Sequence, residues 1–163
     1  MKTLVVFPRG KSGAYTVPDT VEDIECLIDN ISYYDIQLDL GNSKTDYTVE
    51  DGVIYNADKT VIYACDRTKT GKYVMPDTVT TIKEGAFQEC SFSEVVVSEN
   101  VSEIVYAAFS YSMELEKVVL PEKLKTIGTA AFVECEKLVE ADLPSGLEEL
   151  EDLDDDEDIH YFN

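Results

Sequence analysis

The sequence predicts an α/β repeat fold: a solenoid with a parallel β-sheet on one face, short helices or turns on the other, and a β-hairpin insertion. The main observation is a phrase of the form apolar-Pro-x-x-[Val/Leu]-x-x-[Ile/Leu], which occurs five times. Its copies are VPDTVEDI ending at Ile24, MPDTVTTI at Ile82, VSENVSEI at Ile104, LPEKLKTI at Ile127 and LPSGLEEL at Leu150. The proline position falls at intervals of 22, 23 and 23 residues, at Pro76, Ser98, Pro121 and Pro144. This period indicates stacked units that each combine a strand with a return.

Each unit contains one segment suited to a strand and one suited to the return. EVVVS and KVVLP are short and β-branched, and the proline position ends them. The phrases EGAFQEC, YAAFSYS and TAAFVEC follow three of the copies at a fixed distance, and their alanines are compatible with a short helix. The apolar positions of these units predict a core of Val79, Ile82, Phe87, Val101, Ile104, Phe109, Leu124, Ile127, Phe132 and Leu138.

The stretch at about 47–65 interrupts the series. It consists of β-rich YTVEDGVIY, a polar NADK turn and TVIYAC, and this order predicts a hairpin. Residues 2–21 parallel residues 59–79, so the N-terminal copy retains only the second half of that hairpin. We expect residues 1–150 to form the solenoid, with the hairpin as its insertion. The chain is then expected to begin inside a structural unit, unless its first strand simply lacks a partner.

Units of the form IPxxVxxIxxxAFxxCxxL, interrupted by DGVIYNADKT, resemble the BspA-like leucine-rich-repeat family of bacterial surface and secreted proteins. The full pattern covers residues 72–150 and a weaker version covers 2–71. Residues 25–46 lack the AF phrase and the cysteine, and Asp155 stands where phenylalanine is expected. The resemblance implies a right-handed solenoid used for protein recognition at the cell surface. It implies no catalytic residues, because the family motif consists of core positions.

The charge of the chain limits its partners. Thirteen Lys+Arg against 34 Asp+Glu give a net charge of −21, which argues against nucleic acid and anionic membranes as ligands. It favours a soluble monomer, or a partner protein with a basic surface. No apolar run approaches the ~18–20 residues that span a bilayer. The first residues, MKTLVVFPRGKSG, lack the apolar centre of roughly 7–15 residues that a signal peptide needs, so a cytoplasmic location stays open beside the extracellular one.

The cysteines are interpreted as structural. Cys90 aligns with Ser112 and Cys135, which indicates a slot for small residues. Equivalent positions two units apart are separated by ~9–10 Å when strands stack at ~4.8 Å. A disulfide needs Cα atoms within ~7 Å, so regular stacking excludes a bond between Cys90 and Cys135. Cys26 and Cys65 lie in other contexts and form no CxxC pair, so a metal site is not predicted.

No constellation in the sequence predicts catalysis. His160 is the only histidine and lies three residues from the C-terminus. Glycine-rich phosphate loops, GxSxG and zinc motifs are not found, and we expect no catalytic residues, metal or cofactor. Residues 148–163, EELEDLDDDEDIHYFN, contain nine acidic residues and no basic one. We interpret residues 151–163 as an acidic cap or tail; a calcium site and docking to a basic partner stay open as alternatives.

The strand segments predict a recognition surface. The residues two before the proline position should point outward, because they alternate with the inward Met75, Val97, Leu120 and Leu143. They are Val74, Val96, Val119 and Asp142. Four before the proline position, neighbouring strands carry the alternating charges Lys72, Glu94, Lys117 and Glu140, a pattern worth ~0.2–1 kcal/mol per cross-strand pair. These eight residues are the predicted binding site; the alternative is that the valines only satisfy β-propensity.

Two functions fit these observations. The first is a non-enzymatic protein-binding module of the adhesion or host-interaction kind, which the resemblance implies. The second is an intracellular inhibitor or immunity-type protein, whose acidic surface masks a basic site on a partner enzyme. The net charge and the N-terminal residues favour the second, and the resemblance favours the first.

Overall fold

The computed structural model describes residues 13–24 and 36–150, and this part of the chain consists of short β-strands joined by turns. The strands are β1 (Gly13–Thr16), β2 (Ile36–Asp39), β3 (Tyr47–Glu50), β4 (Val53–Asn56), β5 (Val61–Cys65), β6 (Thr70–Val74), β7 (Thr81–Ile82), β8 (Ser91–Val96), β9 (Glu103–Ile104), β10 (Lys117–Val119), β11 (Thr126–Ile127), β12 (Glu140–Ala141) and β13 (Glu149–Leu150).

The repeat units contribute strands to two parallel sheets, except that β7, the second strand of the first complete unit, pairs with β5 instead. The first, here called the front sheet, has the order β12-β10-β8-β6, and the second has the order β13-β11-β9. The register follows the sequence period, so that Lys117 lies between Glu94 and Glu140 of the adjacent turns. The prediction of a leucine-rich-repeat-like solenoid with parallel sheets is therefore confirmed. A short parallel pair, β1 and β2, begins the described part of the chain.

Of the two forms predicted for the alanine-rich returns, short helices or turns, the structure has turns, and the α/β class is not confirmed. No helix occurs in residues 13–24 or 36–150, and the returns at 83–90, 105–112 and 128–135 are pairs of tight turns, here called the AF turns. Their amides donate across the stack: Phe109 N–H bonds Ala131 O at 2.8 Å, and Tyr111 N–H bonds Val133 O at 2.7 Å. An α-helix would direct these donors to carbonyls in its own preceding turn. The alanine content favoured a helix, but the backbone amides that a helix would pair internally donate to carbonyls of the adjacent turn instead.

The AF turns also contain left-handed residues that a helix excludes. Gly85 (φ 61°), Ala107 (φ 51°) and Ala130 (φ 55°) occupy equivalent positions. We expect Ala107→Gly to leave the free energy of unfolding unchanged or to raise it by up to about 1 kcal/mol, because glycine adopts this conformation without strain. In a helix the same change would cost about 1 kcal/mol. Urea unfolding of the two proteins checks this, with Ala107→Val as a matched variant that should lose stability; a clear loss for glycine would contradict the turn structure.

The main core lies between the two sheets and the AF turns. Nine of the ten predicted core residues are buried, and Leu138 packs partly buried against them. The three phenylalanines form a column of stacked rings, with centroids 5.0 Å apart for Phe87 and Phe109 and 5.1 Å apart for Phe109 and Phe132. Each ring therefore fills the space above its neighbour, and the core is continuous from turn to turn.

The interrupting segment is a three-stranded antiparallel meander. β3 pairs with β4 and β4 pairs with β5, while β5 also lies parallel to β7. The stretch YTVEDGVIY, interpreted as one strand, is two strands that turn at Asp51 (φ 50°) and Gly52 (φ 81°). The DG pair is a strong turn signal, but apolar residues alternate on both sides of it, and the stretch was therefore interpreted as one strand.

The meander separates two hydrophobic clusters. Val53 and Tyr55 of β4 belong to the main core, whereas Ile54 between them packs with Val17 and Ile24 of the N-terminal part. The Tyr55 hydroxyl lies 2.5 Å from the hydroxyl of Tyr73, so two buried polar ends satisfy each other. Burial raises the pKa of Tyr73, and both phenols stay neutral at physiological pH.

Some predictions fall outside the described residues. These are the acidic cap at 151–163, His160 and Cys26. None of the residues that the structure describes forms a helix long and apolar enough to cross a membrane.

Candidate recognition surface

The outward side of the front sheet carries the three valines in one row. Val96 lies opposite Val74 on one side and Val119 on the other. Val74 is 56% exposed and Val119 is 37% exposed, while Val96 between them is half-buried. The residues on either side of Val74 and Val96 in the chain, such as Val95 and Val97, are buried, while Leu120 after Val119 is partly buried. The backbone alternation thus presents a short apolar stripe to solvent on a sheet whose other side is core.

A ladder of alternating charges runs beside this stripe. Lys72 Nζ lies 2.8 Å from Glu94 Oε1, and Lys117 Nζ lies 2.5 Å from Glu140 Oε2. Hydrogen bonding to Glu140 raises the pKa of Lys117, and the charge of Glu94 adds to the effect. The pairs are exposed and stabilise the fold only slightly, but they fix the register and leave this border of the stripe close to neutral.

The last strand of the front sheet departs from the expected pattern. Asp142 is exposed, as the alternation predicts. Leu143, which was expected to point inward, is 44% exposed. β12 is the edge strand of the front sheet among the described residues, so it packs against a neighbouring turn on one side only. We call the eight residues Lys72, Val74, Glu94, Val96, Lys117, Val119, Glu140 and Asp142 the outer valine face.

The slot shared by Cys90, Ser112 and Cys135 has a hydrogen-bonding role that the sequence analysis missed. The Ser112 hydroxyl donates to Phe87 O at 2.7 Å, and the Cys135 thiol donates to Phe109 O at 3.1 Å. Each side chain therefore satisfies the carbonyl of the phenylalanine one turn earlier. Burial raises the pKa of Cys135 to about 12, so this thiol stays protonated and serves as a donor.

The interpretation of Cys90 as filler is wrong, because Cys90 is bonded to Cys65. Their Cα atoms are 6.8 Å apart, within the range of a disulfide. The amide of Cys65 donates to Ala86 O, just as the amide of Phe87 donates to Ala108 O. Cys65 thus takes the phenylalanine position of the preceding turn, where the slot residue of the next turn reaches it. Only pairing within the repeat column was considered, and the end of the meander was left out.

In the sequence, only the spacing of Cys65 and Cys90 indicated the disulfide. The Cys65–Cys90 separation is 25 residues, the same as that between Phe87 and Ser112. The described residues contain no group of three or more His, Cys, Asp or Glu side chains placed to hold a metal ion.

The repeat geometry agrees with a family model. The model of the BspA-type leucine-rich-repeat region matches six copies over residues 60–153, more than half of the chain. The chain belongs to the BspA-type leucine-rich-repeat family. The predicted family is thereby confirmed. A comparison with curated proteins gives no significant match to this BspA-type repeat protein.

Solved structures share the fold of this BspA-type protein. The pneumococcal vaccine antigen PcpA is 22% identical with a TM-score of 0.70, over 85% of this chain and 35% of that one. A leucine-rich repeat protein from Eubacterium ventriosum is 22% identical with a TM-score of 0.64, over 84% and 41%. A leucine-rich cell surface protein from Faecalibacterium prausnitzii is 19% identical with a TM-score of 0.56, over 88% and 48%. The chain spans about a third to a half of the length of these proteins.

Proposed function

We propose that this chain is a non-enzymatic module that recognises another protein and acts as a monomer in a bacterial surface or secreted protein. The outer valine face is the proposed binding surface. The observation that carries the proposal is the exposed valine row on a sheet whose opposite side, along β6, β8 and β10, packs against the main core. Contiguous exposed apolar patches rimmed by polar residues are typical of sites of contact with other proteins.

The rigidity of the sheet supports binding at this face. The valines sit on strands that pair on both sides or at one edge, and the core beneath them is continuous. A partner that docks on such a platform loses little free energy to ordering of the surface. The charge ladder helps to hold neighbouring strands in register, because each ion pair links two of them.

The disulfide supports a location outside the cytoplasm. Disulfides persist in oxidising compartments and are rare where glutathione and thioredoxin keep thiols reduced. The bond of Cys65 to Cys90 joins the meander to the first AF turn and is packed in the main core. The names of the similar structures, a vaccine antigen and a cell surface protein, agree with that location.

A paired substitution tests the binding face. We expect Val96→Lys with Val119→Lys to abolish partner binding without unfolding the protein, because two exposed cations replace the apolar centre of the contact. Wild type and variant are immobilised side by side and exposed to bacterial and host extracts, and the retained proteins are compared by mass spectrometry. Thermal unfolding of both confirms the fold.

The matched control places the same charges elsewhere. Thr81→Lys with Ser102→Lys adds two lysines at exposed positions outside the outer valine face. This control should retain the proteins that the wild type retains. Retention of the same proteins by the Val96/Val119 variant would contradict the proposal that this face binds the partner.

The net charge of −21 favours a second candidate, an acidic inhibitor of a basic enzyme site. Binding of that kind would weaken steeply as salt increases, because screening acts on exposed charges. A contact centred on the valines would depend on salt much less. The disulfide favours the first candidate, since an intracellular inhibitor would meet reducing conditions.

A further inference from the structure

A column of carboxylates borders the outer valine face where β6, β8 and β10 of the front sheet end. Asp77, Glu99 and Glu122 each follow the proline position directly, and all three are exposed. Each occupies the second position of a turn closed by a backbone hydrogen bond of 3.0 Å, for example from Val79 N–H to Pro76 O. We call these three residues the acidic corner. Equivalent positions in adjacent turns stack at about 4.8 Å, so the three charges lie in line.

The acidic corner places like charges at equivalent positions of three adjacent turns, whereas Lys72, Glu94, Lys117 and Glu140 alternate in sign. Among the described residues, five ion pairs join side chains one turn apart, for example Arg67 with Glu89 at 2.8 Å and Lys137 with Glu114 at 2.6 Å. The structure gives the three carboxylates of the acidic corner no ion pair or hydrogen bond with any residue it describes.

The next residue of each turn shows that the backbone does not need these acids. Thr78 Oγ1 donates to Lys59 O at 2.8 Å, Asn100 Nδ2 donates to Asp77 O at 2.7 Å, and Lys123 Nζ donates to Asn100 Oδ1 at 3.1 Å. These side chains tie each corner to the turn before it. The neighbouring like charges only repel one another, which raises the free energy of the folded chain. Cations from outside the chain would remove that repulsion.

The spacing of the two columns matches a helix better than a strand. Three valines and three carboxylates each span about 10 Å along the stack, at about 4.8 Å per turn. An α-helix returns a side chain to the same face every 5.4 Å, so two helical turns cover a similar length. An extended strand returns one only every ~6.6–6.8 Å and loses register by the third position.

We propose that the outer valine face binds a basic amphipathic helix of the partner protein. Its apolar side chains cover Val74, Val96 and Val119, and its lysine or arginine side chains pair with the acidic corner. This inference rests on the proposed function and adds the chemistry of the partner. On the opposite border of the stripe the charges are already paired within the chain, so a partner needs no charged side chains there. A second copy of this chain would bring like charge to the contact and is disfavoured.

Binding of synthetic peptides tests the proposal. One peptide of about 14 residues places leucines on one face of a helix and lysines beside them, and a scrambled isomer keeps the composition but loses both faces. Fluorescence anisotropy at about 0.15 M salt measures both affinities for the full chain. We expect the amphipathic peptide to bind about tenfold or more tightly than the isomer. Equal affinities would show attraction by net charge alone and overturn the inference.

Variants locate the contact. Asp77→Asn with Glu99→Gln and Glu122→Gln should weaken binding of the amphipathic peptide about tenfold or more. The matched control, Glu84→Gln with Glu103→Gln and Glu136→Gln, removes the same charge from exposed positions elsewhere and should change the affinity by less than about twofold. Equal weakening by both sets would overturn the inference.

The two proposals fail separately. If the acidic-corner variant binds the peptide as wild type does while Val96→Lys with Val119→Lys still loses captured protein partners, the basic helix is wrong and the proposed binding face stands. If the valine variant also retains its partners, both are wrong.

Discussion

Replacement of Phe109 by alanine is expected to lower the free energy of unfolding by about 3–5 kcal/mol, the range for truncation of a buried aromatic side chain. Phe109 is 1% exposed, and its ring stacks between Phe87 and Phe132 at 5.0 and 5.1 Å. The change leaves a cavity in the middle of the column and removes two ring contacts, each worth ~0.5–1.5 kcal/mol beyond buried area. Typical domains have ~5–15 kcal/mol in total, so the variant should be close to unfolding at 37 °C.

Urea unfolding followed by circular dichroism measures this loss. Tyr106→Ala, three residues earlier but 53% exposed, is the matched control and should change stability by less than about 0.5 kcal/mol. A repeat array transmits stability only between neighbouring turns, so a gap in its centre should also broaden the transition. A loss below about 1 kcal/mol for Phe109→Ala would mean that the stacked rings do not hold the turns together.

Loss of the disulfide is expected to have the second largest effect. Cys65→Ser with Cys90→Ser should cost about 3 kcal/mol, because the bond closes a loop of 25 residues in the unfolded chain. The bond also joins the meander to the first AF turn and is packed in the main core. A thiol reductant should lower the urea midpoint of the wild type to that of the double variant and leave the variant unchanged.

Cys135→Ser is the matched control for the disulfide prediction. Serine fills the equivalent slot at Ser112 and donates to the preceding turn at 2.7 Å. We therefore expect a change below about 1 kcal/mol, since the hydrogen bond to Phe109 O is kept. Alkylation of the denatured, unreduced protein followed by mass spectrometry counts the free thiols. Labelling of Cys65 and Cys90 in that experiment would contradict the bond.

The repeat core was predictable because its residues are nearly identical at a fixed period. Ile82, Ile104 and Ile127 lie in one column, and Phe87, Phe109 and Phe132 in another. A stack of equivalent turns places such residues against one another whatever their exact backbone conformation. The outward orientation of Val74 and Val119 followed from the same alignment through simple strand alternation.

The backbone of the returns was not predictable from alanine content. Ala107 and Ala130 adopt left-handed conformations, and alternate amides of the first two AF turns bond the next turn. Helix propensity differs between residues by less than about 1 kcal/mol and is outweighed by a ladder of hydrogen bonds to the adjacent turn. The glycine at the equivalent position, Gly85, was the available sign of this conformation.

The disulfide and the acidic corner needed comparisons across the stack. Cys65 lies in the meander, outside the repeat motif, and only its backbone position shows that it replaces a phenylalanine. The acidic corner was visible as Asp77, Glu99 and Glu122, which follow three successive proline positions. Whether these carboxylates are available to a partner depends on whether they form ion pairs within the chain. Such pairs join side chains of adjacent turns and cannot be derived from the sequence of one turn alone.

The most direct test of the account is a nuclear magnetic resonance titration of the valine-methyl-labelled chain with a partner protein captured by the wild type. If the outer valine face is the recognition surface, the methyl signals of Val74, Val96 and Val119 should shift or broaden together. Those of Val49 in β3 and Val105 in the AF turn should stay in place. Changes at Val49 or Val105 with an unchanged valine row would contradict the account, because the partner would then bind elsewhere on the solenoid.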